Sequence, residues 1–356
     1  MILTHLELRN FRNHEFLSLD FAKGLTLLLG PNGVGKSNLA EAIYYLSLAR
    51  SWRTNEDRLL IQEGKEEASI LAKIEEGSLR RTIAITIGKS DKKIEINGKK
   101  VRKLSELSAL VNVTSFSPSD VPLFMGSPGE RRGFLDMTIA KQSQEYLALL
   151  NRYGKLLKER NAALKEDYPN IELIDVLAHQ MAALVEPILN YRLQAIASLN
   201  RVLPGILQDL RGEDSHAKLV YRPCIAIGGN YEEEAHALFE NAKENDLRRK
   251  STSVGPHRED FSFLLDDKDL ANYGSQGENR MAVLALKLAP CLLIEEPDKK
   301  PILVLDDVAS ELDQNRTERL LTLIKALPQT FVTATELNTA GADIIDVRPG
   351  IATRRS

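Results

Sequence analysis

The sequence predicts an α/β protein whose α/β lobe is split by an inserted, mainly helical lobe. First, an apolar run at residues 25–29 ends in a glycine-rich turn and is followed by helical spacing over residues 37–48. Second, residues 130–211 are rich in Leu, Ala, Glu, Lys and Gln at helical spacing. Third, residues 301–347 return to a strand, helix and strand pattern. The two lobes are therefore expected at residues 1–115 plus 298–356 and at residues 116–297.

Length and composition agree with two lobes. The chain has 356 residues, and 47 Lys and Arg against 50 Asp and Glu give a net charge of −3. Two lobes fit a usual domain size of roughly 150 residues. Its apolar stretch at residues 281–294 is broken by Lys287 and Pro290, short of the roughly 18 apolar residues a membrane span needs. With no signal-peptide pattern at the start, the expectation is a cytoplasmic protein with no membrane contact.

The remaining segments follow from their periodicity. Residues 2–8 and 16–21 alternate apolar and polar side chains, which predicts two strands joined by a polar turn over residues 9–14. Residues 69–101 alternate again around a hairpin-type Asn97-Gly98, which predicts a small antiparallel sheet. A strand, a charged helix, a strand and an apolar helix are expected in the second lobe at residues 218–227, 231–250, 261–265 and 281–289.

A glycine-rich segment lies between the first buried strand and its helix. It matches the phosphate-loop pattern G-x-x-x-x-G-K-[ST] at every fixed position. Its residues are Gly30, Pro31, Asn32, Gly33, Val34, Gly35, Lys36 and Ser37. Glycines let the backbone wrap a phosphate chain, and the positive end of the following helix attracts the same anion. The motif therefore predicts ATP binding, with Lys36 at the β- and γ-phosphates and the Ser37 hydroxyl on Mg²⁺. A glycine-rich turn without a ligand is the alternative.

A second apolar run, at residues 302–305, ends in Asp306 and Asp307. Continuous apolar strands are typical of sheets buried on both faces, and ligands bind at the carboxyl ends of such strands. We expect Asp306 to hold Mg²⁺ through its water shell and Asp307 to polarise the attacking water as the catalytic carboxylate. The alternative is a strand-ending turn with two solvated aspartates.

Ser275, Gln276 and Gly277 lie directly before the apolar helix predicted from Met281. Ser275 and Glu278 also fit the S-x-x-E capping box, so their spacing alone supports a helix cap and a ligand site equally. Residues 309–313, with the sequence ASELD, follow the two aspartates. Together these segments resemble the signature loop and D-loop of ABC-type ATPase heads, which favours the ligand site.

The opening residues 6–13, LELRNFRN, resemble the head domains of the SMC and Rad50 group. The chain as a whole is similar to the RecF family of bacterial recombination mediators. Further segments that carry this resemblance are residues 50–54 (RSWRT), 116–120 (FSPSD), 128–136 (PGERRGFLD), 255–260 (GPHRED) and 305–313 (LDDVASELD). They span nearly the whole chain, so the combination is far more specific than the phosphate loop alone.

The resemblance implies an ATP- and Mg²⁺-binding protein of recombinational repair, replication and the SOS response. It implies a homodimer that forms on ATP, binds single-stranded DNA and gapped or junction duplex, and assists recombinase loading. RecO and RecR are the implied partners, and RecA is affected indirectly. Arg12 and Asn13 match the nucleotide-contacting turn of Rad50-like heads, with a solvated hairpin turn as the alternative. Whether the protein is an enzyme stays open, because the implied activity is a weak, DNA-stimulated ATPase that serves as a switch.

Two departures leave other functions to consider. Transport-type ABC heads usually have a switch histidine after the fourth strand, whereas residues 331–335 end in Thr335. SMC and Rad50 heads have a glutamate where this chain has Asp307. The first departure counts against a transporter subunit, and both suggest slow hydrolysis. The ATP-hydrolysing subunit of another ABC-type system and a soluble P-loop kinase remain the alternatives, although a kinase has no need of a signature loop.

Contacts with DNA are less well defined by the sequence. With a net charge of −3, DNA binding requires a localised basic face. Trp52 either stacks on a base or is a partly buried ring, and residues 255–258 have no role that the sequence explains. The candidate basic residues, each of which also fits an ordinary solvated face, are Lys99, Lys100, Arg102, Lys103, Arg131, Arg132, Arg248, Arg249 and Lys250.

Overall fold

The computed structural model describes residues 1–101, 106–107, 110–337 and 339–355, with the side chain of Glu311 left aside. Arg102 and Lys103 of the predicted basic cluster lie outside the described residues. The chain forms two compact units. The first comprises Met1–Val121, Gly205–Asp214 and Arg280–Ser356, and the second comprises Pro122–Pro204 and Ser215–Asn279. The boundary predicted at 115 lies near Val121, whereas the one predicted at 298 differs because the helices Val185–Arg211 and Gln276–Leu293 run across the unit boundaries, which composition does not reveal.

One sheet of the first unit is antiparallel, with the strand order β2-β1-β4-β5-β6-β7. Its strands are β1 (Ile2–Phe11), β2 (His14–Asp20), β4 (Glu67–Glu76), β5 (Leu79–Gly88), β6 (Lys92–Ile96) and β7 (Lys99–Lys100). The small sheet predicted at residues 69–101 is thus part of a larger sheet that includes the N-terminal strands. The turn after β1 is also shorter than predicted, because pairing continues to Phe11 and His14 and leaves two residues between the strands.

The second sheet of this unit has the order β15-β14-β3-β13-β12-β8, parallel except for β15. Its strands are β3 (Gly24–Leu29), β8 (Val113–Phe116), β12 (Ile302–Leu305), β13 (Gln329–Ala334), β14 (Asp343–Arg348) and β15 (Ile351–Arg354). Every residue of β12 and β13 is buried, as expected of central parallel strands. Since β13 pairs with both β3 and β12, the segments that follow Leu29 and Leu305 emerge at the same sheet edge.

The α-helices of the described residues are α1 (Lys36–Leu48), α2 (Pro128–Ala140), α3 (Gln144–Ala163), α4 (Ile171–Ala182), α5 (Val185–Arg211), α6 (Tyr231–Arg249), α7 (Leu270–Tyr273), α8 (Gln276–Leu293) and α9 (Gln314–Ile324). In the first unit, α1 contributes Leu39 and Ile43 to one apolar core that also includes Ile70 and Val304 from the two sheets. No helix of the described residues is both long and apolar enough to span a membrane.

The second unit combines helices with a three-stranded antiparallel sheet of order β11-β10-β9. These strands are β9 (Ala217–Arg222), β10 (Asp260–Leu265) and β11 (Lys268–Asp269). Buried ion pairs cross its interior, since Arg192 on α5 donates to Asp136 on α2 and to Glu259 beside β10. His257 accepts a 2.8 Å hydrogen bond from the Tyr153 hydroxyl at Nδ1. The motifs at residues 128–136 and 255–260 therefore meet inside this unit, where they anchor its helices to its sheet.

Candidate nucleotide-binding site

The phosphate loop joins β3 to α1 and depends on its glycines. Gly35 has φ 113°, in the left-handed region that side chains rarely adopt, and it forms the N-cap of α1. A Cβ on Gly30 would lie 2.2 Å from the carbonyl oxygen of Val347. Both positions require glycine, which explains the fixed glycines of the motif in physical terms.

Lys36, the first residue of α1, folds back over this loop. Its Nζ donates to the carbonyls of Gly30 at 2.6 Å and Pro31 at 2.7 Å. Burial lowers the pKa of Lys36, and the charges of Asp307 and Asp306 oppose that shift. The lysine therefore lies within electrostatic range of both aspartates that follow β12. The structure brings together the two motifs that are far apart in the sequence.

Asp306 is buried, and its carboxylate is held by hydroxyl groups. Thr333 Oγ1 donates to Asp306 Oδ1 at 2.7 Å, and the Ser37 hydroxyl also hydrogen-bonds this carboxylate. Burial raises the pKa of Asp306, and the hydrogen bonds from Thr333 and Ser37 oppose the rise. A hydroxyl beside a carboxylate matches the oxygen ligands that Mg²⁺ prefers, with phosphate and water completing its shell. Ser37 and Asp306 thus have the chemistry to hold the ion.

Asp307 has φ 52°, which is uncommon for a residue with a side chain. Its backbone N–H donates to Thr333 Oγ1 at 2.8 Å, and its carbonyl accepts from Ser310 Oγ at 3.0 Å. Strained backbone of this kind persists where surrounding contacts fix it, and it is common at functional sites. Thr333 therefore orients both aspartates at once.

The sequence interpretation missed Thr333, because it looked for a switch residue at Thr335. The structure places Thr335 directly after β13 and exposed, whereas Thr333 is within β13 and buried beside the aspartates. A signal was present in the sequence: Thr333 is a hydroxyl residue in an otherwise apolar stretch of a parallel strand, where a buried polar group needs a partner.

Arg12 and Asn13 form the two-residue turn between β1 and β2. Arg12 forms a bidentate pair with the fully buried Glu41 of α1, through Nε at 3.0 Å and Nη2 at 2.8 Å. Asn13 donates to the carbonyl of Val34 in the phosphate loop at 2.9 Å and accepts from Asn38 at 2.8 Å. The turn predicted to contact nucleotide is thus fastened to the loop and to α1.

Two residues of the segment 50–54 contact the same Glu41 carboxylate. Ser51 donates to Glu41, and Arg53 lies 3.6 Å from it while donating to the side chain of Asn38 at 2.7 Å. Arg53 also lowers the pKa of Asp306 by its positive charge, after the larger effects of burial and hydrogen bonds. Arg53 is a cation at the site to which the sequence analysis gave no role, although it lies in the matching segment at residues 50–54. Trp52 packs edge-to-face on Tyr44 against the core, as the partly buried ring of the alternative interpretation.

Ser275 in the second unit starts α8 with a complete capping box. Its hydroxyl accepts from the Glu278 N–H at 3.2 Å and donates to the Glu278 carboxylate at 2.7 Å. The backbone of Gly274 packs against the buried amide of Asn279. Ser275 and Gln276 are exposed and Gly277 is partly exposed, so the cap leaves this segment open to a ligand.

The basic candidates divide into exposed and engaged residues. Lys99 and Lys100 are exposed in the β6–β7 hairpin. Arg131 was a candidate for an exposed basic face, but its guanidinium is engaged in a bidentate pair with Asp260 at 2.8 and 2.7 Å. Arg132 donates to the carbonyl of Glu259 at 2.7 Å. These two arginines hold α2 to β10.

Comparison with known proteins decides the family. The family model of the RecF/RecN/SMC N-terminal domain matches residues 2–347. A DNA replication and repair protein RecF from Clostridium acetobutylicum is 38% identical over 338 residues, covering 94% of this chain and 93% of that protein. The chain belongs to the RecF family. The RecF of Geobacillus kaustophilus is 37% identical over 355 residues, covering 97% and 95% of the two chains.

Solved structures agree with this assignment. A structure of the recombination mediator RecF with ATP, in the RecFOR pathway, has a TM-score of 0.90 and 30% identity over 99% of this chain and 97% of that one. An SMC head bound to the C-terminal winged-helix domain of ScpA has a TM-score of 0.60 and 16% identity, which shows a shared fold. The predicted α/β ATPase-head fold and the interpretation as a RecF-family DNA replication and repair protein are confirmed, and the transporter and kinase alternatives are set aside.

Proposed function

We propose that this chain is an ATP-dependent DNA-binding protein of recombinational repair that dimerises on ATP. The observation that carries the proposal is the meeting of Lys36, Ser37 and Asp306 at one edge of the parallel sheet. The bound ATP of a RecF structure at 30% identity over nearly the whole chain supports ATP as the ligand. ATP phosphates would replace the Gly30 and Pro31 carbonyls that Lys36 now contacts.

Ser37 and Asp306 would hold Mg²⁺ in the proposed site, and the bound ion would supply positive charge next to the phosphates of ATP. Asp307 is the proposed catalytic carboxylate, and Thr333 links its backbone to the carboxylate of Asp306. Residues 30–37 cradle the phosphates, while Arg12 and Asn13 border them from the adjoining turn. Because an aspartate reaches less far than a glutamate, we propose slow hydrolysis that resets a switch.

Dimerisation supplies the rest of the proposed site. Ser275 and Gln276 are exposed and Gly277 is partly exposed at the start of α8, where backbone N–H groups attract an anion. We propose that these residues of one copy contact the γ-phosphate held by the loop of another. In this proposal the ATPase lobe contains the phosphate loop and both aspartates, and the helical lobe carries the signature loop.

The proposed ligand is DNA, either single-stranded or as a gapped or junction duplex. We propose that it binds when two copies bring their basic residues onto one face. The RecFOR pathway named for the RecF structure supports RecO and RecR as partners, with RecA loaded indirectly and a link to the SOS response. Since the proposed DNA and partners are cytoplasmic in bacteria, the proposed location is the cytoplasm.

ATP-linked DNA binding tests this function. Fluorescence anisotropy of labelled gapped duplex is measured with Mg-ATP, with ADP and without nucleotide. Affinity is expected to rise only with ATP, and the Lys36→Met variant is expected to lose that rise because the loop no longer has its cation. Equal affinity in all three conditions would overturn the proposal.

A further inference from the structure

His14 lies directly beneath the phosphate loop, at the first position of β2. Its side chain is completely buried, and its Nε2 lies 3.2 Å from the carbonyl oxygen of Gly35. The same carbonyl accepts the N–H of Leu39 at 3.0 Å, the first hydrogen bond of α1. His14 therefore contacts the residue at which the loop becomes a helix.

A phosphate loop binds anions only when its N–H groups point inward. Its carbonyls then point outward and need donors of their own, because buried backbone groups are almost always paired. Two consecutive carbonyls find donors in the β1–β2 turn: that of Val34 accepts from Asn13, and that of Gly35 accepts from His14. The outward face of the loop is thus hydrogen-bonded to a rigid hairpin.

Packing at Gly35 is equally close. A Cβ at this position would lie 2.7 Å from the amide of Asn13 and 2.8 Å from Nε2 of His14. Such contact leaves the left-handed Gly35 backbone, with φ 113°, little room to relax toward another conformation. The turn and the loop therefore fix each other through their own contacts.

The chemistry of the imidazole points to this single bond. A carbonyl oxygen can only accept, so the 3.2 Å contact between Nε2 and the Gly35 carbonyl requires the imidazole proton on Nε2. Burial lowers the pKa of His14, which disfavours a second proton on Nδ1. Its Nδ1 is buried and has no hydrogen-bond partner among the described residues. An apolar side chain would avoid that unpaired nitrogen, so the benefit of a histidine here is its donor to Gly35.

We propose that His14, assisted by Asn13, is a positioning residue that holds the phosphate loop in its phosphate-binding conformation before ATP arrives. Preorganisation lowers the ordering cost that a flexible loop would add to binding. The inference rests on the proposed function, since it takes the loop to be the ATP site. It assigns His14 no contact with the nucleotide.

The test compares His14→Leu, which removes the donor, with His14→Gln, which keeps a donor of similar reach. ATP affinity of His14→Leu is expected to fall about tenfold, the effect of removing one buried hydrogen bond, and that of His14→Gln to stay within about threefold of wild type. Hydrogen exchange of the Val34 to Lys36 amides without nucleotide is expected to speed up only in His14→Leu. Leu17→Val, in the same strand but paired with Leu8, is the matched control for a general loss of stability.

The outcomes separate the inference from the function it rests on. If wild type fails to bind ATP, the proposed function is wrong. If wild type binds ATP and His14→Leu binds equally well, or if His14→Gln is no better than His14→Leu, the inference is wrong. Should His14→Leu not fold, exposed Asn13 provides the second variant. Asn13→Ala is expected to speed hydrogen exchange at the amides of Val34 and Gly35. Unchanged exchange would contradict the proposal that the turn holds the loop.

Discussion

Replacing Thr333 with valine tests how the two aspartates are held. Thr333 is 1% exposed, and valine has nearly its shape, so the change removes a hydroxyl and little else. The hydroxyl makes one hydrogen bond to the Asp306 carboxylate and accepts one from the Asp307 N–H. A bond to a charged group contributes about 1.5–3 kcal/mol and a neutral one about 0.5–1.5 kcal/mol, so Thr333→Val is expected to lower the unfolding free energy by about 2–4.5 kcal/mol.

The variant also changes the electrostatics of the site. Thr333 is one of the groups that counter the burial-driven rise in the pKa of Asp306, so its removal moves that pKa further up. A carboxyl that is harder to ionise binds Mg²⁺ less well, and ATP hydrolysis is expected to need more Mg²⁺ as the pH falls. Thr333→Ser keeps the hydroxyl and is the control for both effects.

Tryptophan fluorescence can measure the loss of stability expected for Thr333→Val. Trp52 is its single tryptophan and packs against the core of the first unit, so its fluorescence during urea unfolding reports on the unit that contains Thr333. Unfolding free energies are compared for wild type, Thr333→Val and Thr333→Ser. A Thr333→Val protein within about 0.5 kcal/mol of wild type, with unchanged Mg²⁺ dependence, would refute the role given to Thr333.

Two further predictions concern pH and DNA. Burial lowers the pKa of His257 to about 4, against 6.5 for an ordinary histidine, so the folded chain binds fewer protons there than the unfolded chain between these values. This contribution to the unfolding free energy is complete above about pH 6.5 and falls by up to about 3 kcal/mol as the pH drops toward 4. The unfolding free energy of His257→Gln, measured by circular dichroism during urea unfolding, should therefore depend less steeply on pH than that of wild type. An unchanged pH dependence would contradict the lowered pKa of His257. Reversing the charges of exposed Lys99 and Lys100 to glutamate is expected to weaken ATP-dependent DNA binding and flatten the log–log salt slope by about 0.9 for each phosphate that is no longer neutralised, with ATP affinity as the control. A salt slope equal to that of wild type would remove this hairpin from the DNA-binding surface.

Motifs with fixed local spacing were predictable from the sequence. The phosphate loop is eight consecutive residues whose glycines meet backbone constraints, and Asp306-Asp307 directly ends a strand of unbroken apolar residues. The order of strands and helices followed from periodicity for the same reason. Family resemblance then connected these separate motifs, and the match over residues 2–347 confirms it.

Features that depend on long-range partners were not predictable. Arg131 reads as part of a basic cluster until its partner Asp260, 129 positions away, is seen. Thr333 becomes a site residue only because β13 lies between β3 and β12. His14 in β2 of one sheet and Gly35 after β3 of the other likewise meet only in the folded unit, so neither residue type nor local spacing indicated their contact.

The oligomeric state in the presence of ATP tests whether two copies share the proposed nucleotide site. Sedimentation velocity is measured for Asp307→Asn, which is expected to bind Mg-ATP but lacks the proposed catalytic carboxylate, and for the same variant carrying Ser275→Arg. A site shared between two copies predicts a stable dimer of Asp307→Asn in ATP, a monomer in ADP, and a monomer in both nucleotides once Ser275→Arg blocks the γ-phosphate contact. A monomer of Asp307→Asn in saturating ATP, or a dimer unaffected by Ser275→Arg, would contradict a nucleotide site shared between two copies.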